Sequence, residues 1–253
     1  MKVCVLSSGS KGNCSYIETN NHRILIDIGN SCAYVERSLR TLGVEPSEVD
    51  IILITHAHID HIAGLRVFEK KYHPKIYITD KILKESKLDL NNVYDIPKEI
   101  NIDDLKITSI KTSHDVEDSY GYIIEDNNTS CVYITDTGYI NKRYFKSLYN
   151  KNIYIFESNH DPELLMNNPN YPHHTKIRIL GDTGHLSNQD SAYYLSEFIG
   201  DATKKVFLAH LSEQNNSDEL AIKTLKDRLA KKNISFTNIE VAHQNELSEV
   251  FVV

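Results

Sequence analysis

Five apolar stretches of this chain each run into an aspartate, glutamate or histidine, and that repetition constrains the fold more than any other feature. Ile24–Ile28 carries Asp27, Ile51–Ile54 leads to His56, Val132–Ile134 to Asp136, Ile153–Phe156 to Glu157 and Val206–Leu208 to His210. Runs rich in Val, Ile, Tyr and Phe read as strands. Sites are built in loops at the ends of strands on a rigid scaffold, so residues distant in sequence are expected to meet along one edge.

Further strand-like runs are Lys2–Leu6, Lys75–Ile78, Leu105–Ile110, Tyr120–Ile124, Ile234–Val241 and Glu249–Val253. Helix-like pieces are Cys32–Leu42, closed by Gly43, then His61–Lys71, Lys81–Lys87, Lys142–Leu148, Asn188–Ile199 and Ser217–Lys232. Asn216 is the expected N-cap of the last, with Glu219 three residues on completing a capping box. Many strands with interspersed helices predict a layered α/β architecture. With 253 residues, no internal repeat and no Pro/Gly/Ser-rich linker, one domain spanning residues 1–253 is expected.

An apolar share of 40% and a charged share of 25% are those of a soluble globular chain. No apolar run approaches the roughly 18 residues of a membrane span. The opening MKVCVLSSGS lacks the pattern of a secretory signal, so a cytoplasmic protein is expected. Four cysteines, Cys4, Cys14, Cys32 and Cys131, form no C-x-x-C pair, which excludes a zinc knuckle or dithiol redox motif and predicts reduced thiols. Cys4 and Cys131 lie inside strand-like runs and read as buried small apolar groups. A net charge of −7 speaks against broad, non-specific affinity for nucleic acid.

The sharpest local signal is Thr55-His56-Ala57-His58-Ile59-Asp60-His61, an H-x-H-x-D-H segment directly after an apolar run. Residues two apart in an extended or turning segment point the same way, so His56 and His58 can grip one metal. Asp60 and His61 fall where the chain turns into a helix and can point to a second metal beside it. Imidazole and carboxylate suit zinc or a similar ion, in a geometry unlike the helical H-E-x-x-H. The competing reading is a polar turn whose histidines face water.

The small-residue loop Ser7–Asn13 lacks G-K-[ST], so binding of a nucleotide triphosphate is not implied. Its backbone amides either cradle a phosphate, with Ser8, Ser10 and Asn13 at hand, or form a tight turn.

The H-x-H-x-D-H segment resembles the signature of the metallo-β-lactamase superfamily, which implies a four-layer αββα sandwich. Ser113-His114-Asp115, Ile134-Thr135-Asp136-Thr137-Gly138 and Leu208-Ala209-His210-Leu211-Ser212 follow in the order in which that superfamily supplies its later ligands. The resemblance implies one metal held by His56, His58 and His114, a second by Asp60, His61 and His210, and Asp136 between them. Asp27 matches a supporting aspartate that accepts hydrogen bonds from ligands. A pair of divalent ions, whether zinc, manganese or iron, implies hydrolysis by activated water. In phosphodiesterase branches such as tRNase Z a glutamate orients a histidine that acts as general acid, and Glu157 with His185 looks similar. His160 is open between lining a substrate groove, approaching a metal and packing beneath a loop.

Ser-Ser-Gly-Ser-x-Gly-Asn at 7–13, Glu-Ser-Asn-His-Asp at 157–161, Gly-His-Leu-Ser-Asn at 184–188 and Leu-Ala-His-Leu-Ser-Glu-Gln-Asn-Asn at 208–216 resemble the bacterial YycJ (WalJ) family. These motifs add Ser187, Asn188 and Ser212 to the candidate site residues. The resemblance implies a 5′-to-3′ exonuclease acting on DNA, with a role of mismatch-repair type. Only 73 residues (137 to 209) separate Asp136 from His210, too few for the inserted domain of β-CASP nucleases. The alternatives are a hydrolase of a small ester, lactam or thioester, an RNA-processing nuclease of tRNase Z type, and a metal-binding regulatory module. Two lysine-bearing stretches, Lys70–Lys87 and Lys223–Lys232, are either tracks for DNA or solvated helix faces.

Overall fold

A computed structural model describes residues 1–253. Strands β1 (Lys2–Ser7), β2 (Cys14–Glu18), β3 (Arg23–Ile26), β4 (Ile51–Leu53), β5 (Lys75–Tyr77) and β6 (Val93–Tyr94) belong to one sheet. A second sheet holds β7 (Glu99–Ile102), β8 (Leu105–Lys111), β9 (Tyr120–Glu125), β10 (Ser130–Ile134), β11 (Ile153–Glu157), β12 (Lys205–Ala209) and β13 (Ile239–Val241). The terminal β14 (Phe251–Val252) returns to pair with β1, giving orders β14-β1-β2-β3-β4-β5-β6 and β13-β12-β11-β10-β9-β8-β7. Five strands that lead to predicted site residues run parallel, β3 with β4, and β10 with β11 and β12, whereas β8, which leads to His114, is antiparallel to β7 and β9.

Parallel strands covered on both sides read as unbroken apolar runs. In β10, Cys131 and Tyr133 point into the large core between the sheets, while Val132 and Ile134 point outward to a second core. That outer core is closed by α5 (Phe145–Leu148), α8 (Asn188–Phe198) and α9 (Asp218–Lys231) through Leu148, Leu195, Phe198, Leu225 and Leu229. On the far side α1 (Cys32–Thr41), α3 (Leu65–Tyr72) and α4 (Asp80–Ser86) cover the first sheet with Val35, Leu39, Leu65, Phe68 and Ile82. The outcome is the expected four-layer αββα sandwich. All four cysteines are free and buried, and no helix is long and apolar enough to cross a membrane.

Several expected elements differ. The helix expected over His61–Lys71 divides into a turn, α2 (Ile59–Ile62), and α3, because the chain must pass close to Asn30 at Gly64. A Cβ there would stand 2.3 Å from the Asn30 carbonyl oxygen. Strand β2, the short β6 and β7, and helices α6 (Pro162–Asn167) and α7 (His173–Leu180) were not anticipated, and the run Ile234–Val241 is strand only at β13. The cap of α9 is Ser217, whose side chain accepts from Leu220 N, and not Asn216. Asn216 instead donates to the carbonyls of Ser158 and Asn159 and to Asn188 Oδ1, tying α9 to the loop after β11.

Candidate metal centre

Three strands end in a non-glycine residue with left-handed backbone: Asp27 after β3 (φ 60°), Asp136 after β10 (φ 55°) and His210 after β12 (φ 57°). This region costs an L-residue about 1 kcal/mol or more and persists where the surrounding structure enforces it. Each turn swings a polar side chain back over the edge of the sheets instead of continuing the pleat. The loop after β4 contributes His56 and His58, and α2 presents Asp60 and His61 from its first turn.

The donor atoms of His56, His58 and His114 lie within 4.8 Å of one another, and so do those of Asp60, His61 and His210. Asp136 stands between these triads. Its Oδ2 is 3.3 Å from His61 Nε2, and its Oδ1 is 3.4 Å from His210 Nδ1 and 3.9 Å from His114 Nε2.

Buried polar atoms normally find partners, yet His56 Nε2, His210 Nε2 and Asp136 Oδ2 have none within the chain. Orphaned imidazole and carboxylate donors in one small volume fit a divalent ion chemically, and zinc, manganese and iron all accept this set. The electrostatics agree. Burial disfavours charge on His61 and His210, but Asp27 and Asp136 push His61 well above its ordinary value, and Asp136, Asp60 and Glu157 push His210 up to about 10. The carboxylates thus attract positive charge strongly, and a metal competes for the nitrogens that hold these protons. Burial holds His56 and His114 below the ordinary value, keeping both rings neutral as ligands require.

A supporting layer fixes ring orientation. Asp27, fully buried, accepts from His61 Nδ1 at 2.7 Å and from Thr55 N and Oγ1 at 2.8 Å each, which turns His61 Nε2 inward. His114 Nδ1 donates to the Gly184 carbonyl at 3.3 Å. Asn13 Nδ2 lies 3.2 Å from Asp60 Oδ2 and 3.0 Å from His61 Nε2. Glu157, also buried, sits 2.7 Å from His185 Nδ1 and accepts from the amides of Thr137 and Leu186. Asp115 joins the rim, 3.7 Å from His58 and 3.4 Å from His114, and is held by Arg178 of α7 at 2.8 Å. Nothing in the spacing distinguished Asp115 or Thr55; each stood beside a recognised histidine, which was the only available signal.

The remaining candidates lie elsewhere. Ser8 Oγ accepts from His210 N. Ser187 caps α8, Asn188 bonds Ser158 and Asn216, and Ser212 Oγ accepts from Asn215 N. Ser10 is exposed. The amides of Ser8, Gly9, Lys11, Gly12 and Asn13 are all engaged within the chain. His160 is buried with Nδ1 toward Asn159, and it belongs to neither triad.

The family model described as Beta-lactamase superfamily domain matches residues 22–210. Exodeoxyribonuclease WalJ of Streptococcus pneumoniae serotype 2 is 36% identical over 92% of this chain and 90% of its own length. Exodeoxyribonuclease YycJ of Bacillus anthracis is 35% identical over 90% and 89%. The chain belongs to the WalJ/YycJ family of the metallo-β-lactamase superfamily. Among solved structures, the metallo-β-lactamase fold protein YhfI from Bacillus subtilis superposes with a TM-score of 0.73 over 98% of both chains at 17% identity, a likeness of fold. Membership in this family makes the chain a metal-dependent hydrolase, with the His and Asp clusters as its candidate ligands for divalent metal.

Proposed function

We propose that residues 1–253 act as one domain, a two-metal phosphodiesterase that removes nucleotides from the 5′ end of DNA in the cytoplasm. The observation that carries this reading is the position of Asp136 between two complete triads. Relatives covering nine-tenths of the chain are named exodeoxyribonucleases, which supports the substrate class. In this reading His56, His58 and His114 would hold one ion and Asp60, His61 and His210 the other, with Asp136 available to both. Such a pair, when bound, lowers the pKa of water and steadies the attacking and leaving oxygens at phosphorus.

The chain supplies the rest. Glu157 is held well below the usual carboxylate range, the charges of His185 and His210 outweighing its burial. Its anion fixes the His185 ring through Nδ1, leaving Nε2 to donate a proton to the departing oxygen. Asp27 and Thr55 keep His61 from rotating, and Asn13 does the same for Asp60.

The test is hydrolysis of labelled DNA and RNA strands with 5′-phosphate or 5′-hydroxyl ends, alongside lactam, lactone and thioester substrates, across zinc, manganese and iron. Preferred release of nucleotides from a 5′-phosphorylated DNA end, lost on chelation and in Asp60→Ala, is expected. Undiminished turnover in Asp60→Ala sinks the ligand assignment, and faster turnover of a small ester or of RNA sinks the substrate assignment.

A further inference from the structure

We propose that a basic groove along β8 is a track for the single strand of DNA leading from the metal centre, an inference that rests on the DNA reading above. The outer core that α5, α8 and α9 close over the second sheet includes only Ile110 of β8 and no residue of β7. A groove of about 980 Å³ results, floored by Thr108, Ile110 and Ile123 and walled on its other side by the segment from Arg143 to Ser147.

Its charge runs against that of the molecule. The chain carries −7 overall, yet this groove gathers Lys98, Lys106, Lys111, Arg143, Lys146 and Lys151 against only Glu99 and Glu125. Both carboxylates are already matched, Glu99 by Lys106 at 3.3 Å and Glu125 by Lys151 at 2.6 Å, and Lys111 pairs with Asp118. Lys98, Arg143 and Lys146 are exposed and have no carboxylate partner. Phosphates are the natural complement of the unpaired set.

The groove also leads to the right place. Lys111 ends β8 three residues before His114, and its amide donates to Tyr144 Oη at 3.2 Å, joining the far wall to the strand that delivers a metal-centre histidine. From Lys106 to Lys111 the strand covers on the order of 17 Å, the length of a few nucleotides. Arg143 lies over the Tyr144 ring at 4.6 Å and Lys111 over Tyr120 at 4.5 Å, so two of the groove's cations stand against aromatic rings. The cations come from three separated segments, so no charge run advertises them.

The test uses the full chain with Lys98→Glu, Arg143→Glu and Lys146→Glu combined, and the milder pair Lys98→Gln and Lys146→Gln. Substrates are a 5′-phosphorylated DNA strand of about 20 nucleotides, longer than a single-strand groove covers, and the chromogenic diester bis(p-nitrophenyl) phosphate. The triple variant is expected to raise KM on the strand by about tenfold or more, to leave kcat and diester hydrolysis within about twofold, and to make the slope of log KM against log salt shallower by about 2. The pair is expected to show a smaller change of the same kind. Unchanged diester hydrolysis certifies the fold. Fluorescence polarisation of the same strand under chelation reads binding alone. If the wild type degrades the strand and the triple variant matches its KM and salt slope, the groove is refuted and the nuclease reading survives. If the wild type binds the strand, the triple variant does not and neither cleaves it, the groove stands and the nuclease reading falls. Tighter binding of RNA than DNA overturns the choice of DNA.

Discussion

The buried Glu157 carboxylate lies 2.7 Å from His185 Nδ1, whose ring is partly open to solvent. This contact separates two tasks that the histidines of the site share. His185→Ala removes the proposed proton donor without touching either triad, so kcat is expected to fall by about 10²–10⁴-fold while bound metal, measured by atomic absorption, stays at the wild-type level. Loss of metal in that variant would make His185 a ligand. Glu157→Gln is expected to lower both quantities, because the same carboxylate faces His210 Nδ1 at 3.4 Å.

Asp27 serves the site without facing its open side. In Asp27→Ala, His61 and Thr55 lose their buried acceptor, and metal affinity measured by chelator competition should drop by about 10–100-fold. An unaltered affinity would mean that packing alone orients His61.

Gly29 is a steric requirement of the Asp60 turn. A Cβ at this position would stand 1.6 Å from the Asp60 carbonyl oxygen, which also accepts from Asn13 N at 2.7 Å. Gly29→Ala is therefore expected to cost about 3 kcal/mol or more in urea unfolding and to reduce metal content together with it. A stable variant that keeps its metal would show that the α2 turn can shift freely.

His160 links stability to pH. Burial lowers its pKa to about 4, against roughly 6.5 in the unfolded chain. Between these values the unfolded state binds more protons. The stabilising contribution is therefore fully present above about pH 6.5 and is lost as pH falls through that window, by up to about 3 kcal/mol. Thermal unfolding from pH 7 to pH 4 should be less pH-dependent in His160→Gln than in the wild type. Parallel curves would show that His160 titrates normally in the folded chain.

The strands of the site were legible because burial on both faces leaves an uninterrupted apolar run, as in Val132–Ile134 and Val206–Leu208. The H-x-H-x-D-H segment was legible because its ligands are local, two triad members on each side of one turn. Helices α6 and α7 were not, since α6 is short and α7 buries no residue, leaving no apolar stripe to read. The capping of α9 was misread by one residue because Asn216 has a competing use, holding the loop after β11.

Local chemistry alone determined the residue types of the centre, the ends of strands where they sit and the α/β layering, since each depends on neighbours within a few positions. The family resemblance implied Asp136 between two metals and Glu157 beside His185, whereas only the tertiary structure gave the distances that join them and brought the lysines near residues 98, 111 and 146 into one groove. Those relationships join segments from different strands and loops of the chain. They depend on sheet order and on left-handed turns at Asp27, Asp136 and His210, which packing enforces against the intrinsic preference of the backbone.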